Sequence, residues 1–144
     1  MSTPAASHIR GTFTVALAPQ PHVENVGDAA IARLSLDKQF HGDLEAVSKG
    51  QMIAFRSAVA GSAGYVAMER VEGTLLGRRG SFVLQHSSTI DRNRPTQSIT
   101  VVPDSGTDDL TGLAGSMTIT IIEKQHYYDF DYAFAPAVAS TVAE

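Results

Sequence analysis

An all-β chain closed into an eight-stranded antiparallel barrel is the architecture this sequence predicts, on three observations. Short segments with alternating apolar and polar residues recur along its 144 residues. Clusters rich in Gly, Pro, Asn, Asp and Ser separate them at hairpin spacing, and no segment holds a helical period over the length of an ordinary helix. Strands so closely spaced close into a barrel or, as the alternative, pack as a sandwich.

The first strand runs from Ile9 to Leu17, where Ile9, Gly11, Phe13, Val15 and Leu17 alternate with Arg10, Thr12, Thr14 and Ala16; Pro19 and Pro21 end it. Residues 22–29 connect it to Arg33–Glu45, RLSLDKQFHGDLE. Leu36, Phe40, Leu44 and Val47 also recur at helical spacing, but Gly42 in the middle and Leu34 beside Leu36 spoil that stripe, so this stretch reads as a strand. Ser48-Lys49-Gly50 reads as a turn into a strand at 51–59, and Gly61 and Gly64 mark the next turn. Residues 65–75 place Tyr65, Ala67, Glu69 and Val71 on one side. After a turn at Gly77 to Gly80, the strand 81–90 puts Phe82, Leu84, His86, Ser88 and Ile90 on one face. A strand at 97–102 ends at Pro103, and residues 104–115 form a Gly- and Asp-rich loop. Two last strands, 116–123 and 127–134, flank a tight turn at Lys124-Gln125-His126.

These strands make one domain over 9–134, of a size that buries a core without staples. Residues 1–8 and 135–144 are small and polar enough to be expected as flexible tails. There is no cysteine, which excludes disulfides, thiolate metal sites and cysteine nucleophiles. A formal charge of −4 with no block of basic residues argues against a nucleic-acid partner, and no apolar run approaches the roughly 18 residues of a membrane helix. The opening MSTPAASH has neither the basic start nor the apolar run of a signal peptide, so a cytoplasmic location is expected.

An eight-stranded barrel is either filled by side chains or holds one small ligand. Which rows face the lumen therefore decides the chemistry. On Arg33–Glu45, one face carries Leu34, Leu36, Lys38, Phe40, Gly42 and Leu44, and the other carries Arg33, Ser35, Asp37, Gln39, His41, Asp43 and Glu45. Hydrophobicity alone buries the first.

The blocks GTFTVALAPQP (11–21), LDKQFHGDLEAVSKGQM (36–52), GSAGYVAMERVEGTL (61–75), GSFVLQHSSTI (80–90) and VVPDSGTDDLTGLAGSMTI (101–119) together resemble the DUF3224 family, bacterial proteins of unassigned function. More distantly, Asp37-Lys38-x-Phe40-x-Gly42-Asp43-Leu44, with Ser105-Gly106 and the glycines Gly112 and Gly115, is similar to the plant allene oxide cyclases. The resemblance implies an allene oxide cyclase-like or lipocalin-like barrel with a ligand in its lumen. In the cyclases the position matching Asp37 is a lumen asparagine that helps hold a water. That implies a polar row of Arg33, Ser35, Asp37, Gln39 and His41 turned inward, and an outward apolar row covered by a helix, a tail or another copy in a homo-oligomer. Here a carboxylate replaces the amide and no matching cysteine exists, so the cyclase reaction itself is not implied.

The candidate acid–base residues are Glu69, His86 and His41. Glu69 on an average strand faces water, but inside an apolar lumen it is suited to proton transfer near neutral pH. His86 on an apolar row is commonly a core residue with a satisfied hydrogen bond; near a buried carboxylate it serves as acid or base. His41 with Asp37 or Asp43 is the weaker arrangement. Asp37, Gln39 and Arg33 are expected to orient a water or a polar ligand group, and Tyr65 and Phe82 to wall the cavity. No H-x-H or H-x-x-x-H element supports a metal, no dinucleotide fingerprint or nucleophile elbow is present, and no cofactor is expected. The function read from these residues is binding of a small apolar or amphipathic molecule, with cofactor-independent isomerase, cyclase or lyase chemistry. The alternatives are a carrier or sensor without chemistry, and a filled barrel that acts through its outer face.

Overall fold

The computed structural model describes residues 6–136. Eight strands follow one another: β1 (Ser7–Pro19), β2 (Ala32–Gly42), β3 (Leu44–Arg56), β4 (Ala63–Leu75), β5 (Arg78–Asp91), β6 (Arg94–Val101), β7 (Leu113–Ile122) and β8 (Gln125–Phe134). Each pairs antiparallel with the next, and β1 pairs with β8 as well as β2, so the sheet closes into a barrel; its weakest seam is β6–β7, where Ile99 and Thr100 pair with Met117 and Ser116. A single 3-10 turn at Asp108–Leu110 is the helical content among the described residues, and no helix is long and apolar enough to cross a membrane.

Local chemistry sets the hairpins. Leu76-Gly77, Arg92-Asn93 and Glu123-Lys124 are two-residue links in which both residues have positive φ, the geometry whose twist matches that of the strands it joins. The turns expected at Gly77 to Gly80 and at Lys124-Gln125-His126 are therefore shorter, with the strands taking the remainder. Gly42, at φ 119°, ends β2, and Asp43 reverses the chain into β3, so Arg33–Glu45 is a strand and a turn. The Tyr128 hydroxyl secures this reversal, accepting from the Leu44 amide at 3.2 Å and lying 3.1 Å from the His41 carbonyl oxygen to which it donates. Ser48-Lys49-Gly50, expected as a turn, lies inside β3 instead. Of the flexible tails expected at 1–8 and 135–144, Ser7 and His8 pair with β8, and residues 1–5 and 137–144 lie outside the described residues.

The orientation of β2 is the main correction. Leu36, Phe40 and Leu44 are 3, 0 and 1 % exposed, and Arg33, Asp37, Gln39 and His41 lie on the outer surface. The physical reason is that an inward polar row would bury several charges without partners. Turned inward, the apolar row packs instead: Phe40 meets the Phe13 ring at 5.5 Å and the Tyr128 ring at 5.7 Å between centroids. It requires no second subunit to cover it.

One half of the barrel is filled. Phe40, Leu44, Val71, Leu75, Phe82, Leu84, Leu110, Leu113, Tyr128 and Phe130 are all essentially inaccessible and belong to one cluster. At about 1.5–3 kcal/mol for each large side chain fully buried, this half holds the barrel together. The opposite half, beneath the β3–β4, β5–β6 and β7–β8 hairpins, is open.

Candidate functional site

A cavity of about 560 Å³ occupies the open half. Its walls are largely apolar, with Val15, Leu17, Leu36, Met52, Ile90, Ile119 and Ile121 contributed by strands all round the barrel, and with Tyr65, Gln97 and His126 as polar points. That size and mixture suit a small, mostly apolar ligand fixed by few polar groups. Lys38, His86, Ser88 and Phe13 also line it. Glu69, 1 % exposed, does not reach it.

These groups form one network. Lys38 Nζ on β2 donates to Glu69 Oε2 on β4 at 2.8 Å, and His86 Nε2 on β5 meets the same oxygen at 2.5 Å. Ser48 Oγ on β3 donates to Oε1 at 2.8 Å. The side chains of Lys38, Glu69 and His86 are 4, 0 and 3 % exposed. Three strands thus deliver three ionisable groups to one layer, across the floor of the cavity.

Gly50 makes the meeting possible. It pairs with Glu69 across β3 and β4, and a Cβ placed there would lie 2.7 Å from the Glu69 Cβ. Without a side chain at this position, the carboxylate can pass over β3 toward Lys38.

Burial alone would raise the Glu69 carboxyl, but the His86 hydrogen bond and the Lys38 charge outweigh it and hold the group at about 2. Glu69 is therefore an anion. Because an ionised carboxylate only accepts, His86 Nε2 carries the hydrogen of their bond. His86 Nδ1 has no hydrogen-bond partner among the described residues, and the ring lines the cavity. Lys38 Nζ lies 4.9 Å from the centroid of the Phe13 ring, a cation–π distance. Burial pushes the Tyr65 phenol up, a hydrogen bond to Ser88 opposes this and the Glu69 charge adds to it, so Tyr65 keeps its hydroxyl proton.

Chemically, the floor offers a buried cation, an imidazole ring that lines the cavity and a carboxylate that holds both in place. Of the residues expected from sequence, Glu69, His86 and Tyr65 come together. Phe82 does not wall the cavity: it is buried in the filled half, stacked on Phe130 with centroids 5.9 Å apart. His41 sits outside, 3.2 Å from Glu45, and Asp37 outside, 3.5 Å from Lys49; Gln39 and Arg33 share that outer face. Among the described residues no cluster of three or more His, Cys, Asp or Glu side chains could hold a metal ion.

Lys38 and Ser48 are site residues beyond those the sequence pointed to, and of the two only Lys38 leaves a signal. Lys38 is the one cation in an otherwise apolar row, as Glu69 and His86 are the ionisable exceptions in theirs. Three such exceptions on inward rows must find partners, and the cheapest partners are one another.

Comparison with known proteins locates the chain. No curated protein matches it. A crystal structure of a protein with unknown function from the DUF3224 family of Shewanella oneidensis MR-1 is 44% identical, covering 92% of this chain and 100% of that one, with a TM-score of 0.83. A family model described as protein of unknown function (DUF3224) matches residues 9–132. This chain belongs to the DUF3224 family.

Proposed function

We propose that the barrel binds a small, largely apolar carbonyl compound in its open half and moves a proton on it without a cofactor, the chemistry of an isomerase, cyclase or lyase. The observation that carries this reading is the Lys38–Glu69–His86 network at the floor of an apolar cavity. A cation there stabilises negative charge developing on a carbonyl oxygen, and low local dielectric strengthens the effect. The His86 ring lines the cavity and, with Nε2 held by Glu69, is the group that takes and returns the proton. Glu69 acts through the other two as a positioning group, not as the base.

Solvent exchange tests this. Small apolar ketones incubated with the protein in D2O are followed by proton NMR for deuterium entering beside the carbonyl. Catalysed exchange is expected, reduced about 10²–10⁴-fold by His86→Ala. A panel of ketones that bind and show no exchange above the buffer rate contradicts it.

A carrier without chemistry is the second reading. It is favoured by the saturation of Glu69, whose two oxygens already receive Lys38, His86 and Ser48 in a closed arrangement. Binding that persists with no exchange is its signature.

A further inference from the structure

The chain has three lysines, and they differ sharply in setting. The Lys49 side chain is 86% exposed, and Lys124 lies in the exposed β7–β8 turn. Lys38 is buried to 4 %. Burying an ammonium is costly, and a buried pair adds little to stability, so fold stability alone does not account for this one. Lys38 borders the cavity, with Phe13 beside it.

Charge arithmetic narrows what can meet it. Lys38 and Glu69 cancel. An anionic ligand head would bring unpaired negative charge beside the buried Glu69, whereas a neutral carbonyl adds none. A carbonyl compound can also condense with the amine, and the resulting iminium keeps a single positive charge opposite the same carboxylate.

We propose that Lys38 forms an imine with a small apolar aldehyde or ketone held in the open half, with Glu69 as the counter-ion and His86 moving the protons. This rests on the reading that the cavity takes carbonyl compounds. The Lys38 ammonium gives up one proton to His86, and the Nζ lone pair forms a bond to the carbonyl carbon. The carbinolamine oxygen then takes up protons released by Nζ and His86, the carbon–oxygen bond breaks, and water leaves. The three ammonium hydrogens end as two on water and one on the iminium nitrogen, with no change of oxidation state. The iminium then draws electrons from the adjacent C–H bond, and the proton that loosens is the one His86 removes. Glu69 stays in place throughout as the anion that pairs first the ammonium and then the iminium.

Trapping tests this directly. The protein is incubated with 3-phenylpropanal and sodium cyanoborohydride at pH 7, digested and mapped by mass spectrometry. In parallel, calorimetry measures binding of 3-phenylpropanol, which has the same skeleton and cannot condense. The expected result is alcohol binding together with one reduced adduct per chain on Lys38, formed at least tenfold faster than on Lys49 or Lys124. Excess alcohol should suppress it, and Lys38→Arg, which keeps the charge but forms no imine, should abolish it. Alcohol binding without preferential labelling of Lys38 overturns the imine and leaves the cavity reading standing. Failure of the alcohol to bind, with Lys38 unlabelled, overturns both.

Discussion

Lys38 and Glu69 meet at 2.8 Å inside the barrel, and His86 bonds the same carboxylate oxygen from the other side. A buried pair of this kind adds little to stability when whole and costs a great deal when broken, because the survivor is left charged and unpaired. On the function proposed above, the pair at the cavity floor serves a ligand rather than the fold.

Breaking the pair should show that asymmetry. Glu69→Gln leaves the Lys38 ammonium buried without its counter-ion and is expected to cost about 3–5 kcal/mol in urea denaturation. The double variant Lys38→Met with Glu69→Gln should recover much of that loss, since neither charge remains. Equal destabilisation in the double variant contradicts the pairing.

Acid should act through the same carboxyl. Glu69 is held at about 2 against an ordinary 4.5, so between these values the unfolded chain binds a proton that the folded chain does not. The stabilisation is complete above about pH 4.5 and is lost as pH falls toward 2. At about 1.4 kcal/mol per pH unit the gap corresponds to about 3 kcal/mol. Urea midpoints measured from pH 6 down to pH 2 should fall more steeply for the natural protein than for Glu69→Gln, and the two should converge at the acid end.

Gly50 is expected to be irreplaceable for a steric reason. A Cβ there meets both the Met68 carbonyl oxygen and Glu69 in β4, so Gly50→Ala should cost about 1–3 kcal/mol and weaken ligand binding by displacing the carboxylate. Gly64 in the same strand pair is the control, because its nearest neighbour would be 3.6 Å away. Gly64→Ala should stay within about 0.5 kcal/mol in the same denaturation assay.

The outer row of β2 should be silent. The Asp37–Lys49 and His41–Glu45 pairs are exposed, so Asp37→Ala and His41→Ala are each expected to shift stability by less than about 0.5 kcal/mol and to leave ligand affinity unchanged. A tenfold loss of affinity in either would return that face to the site.

Much of this was legible in the residues. The period-two alternation fixes the strands and the inward placing of Tyr65, Glu69 and His86, because each shares a row with Ala67, Val71, Phe82 or Leu84. The direction of β2 follows from hydrophobicity alone, and the distant likeness to the cyclases points the other way. Its inward row contains a lysine, and a lysine there looks acceptable only once Glu69 is known to wait across the barrel. Ser48 was hidden for another reason. Ser-Lys-Gly imitates a turn, and nothing local reveals that Gly50 is needed to let a side chain from the next strand pass. The filling of one half and the opening of the other depend on strand tilt and on which large residues fall in which layer, so alternation alone does not disclose that Phe82 belongs to the packed end.

The claim that the open half is a ligand site, with the polar head of the ligand at Lys38 and His86, is tested most directly by titrating the protein with a neutral, apolar, fluorescent naphthyl ketone. One blue-shifted site per chain is predicted, weakened at least tenfold by Lys38→Met and unchanged by His41→Ala. Absence of binding, or binding indifferent to Lys38→Met, would contradict it.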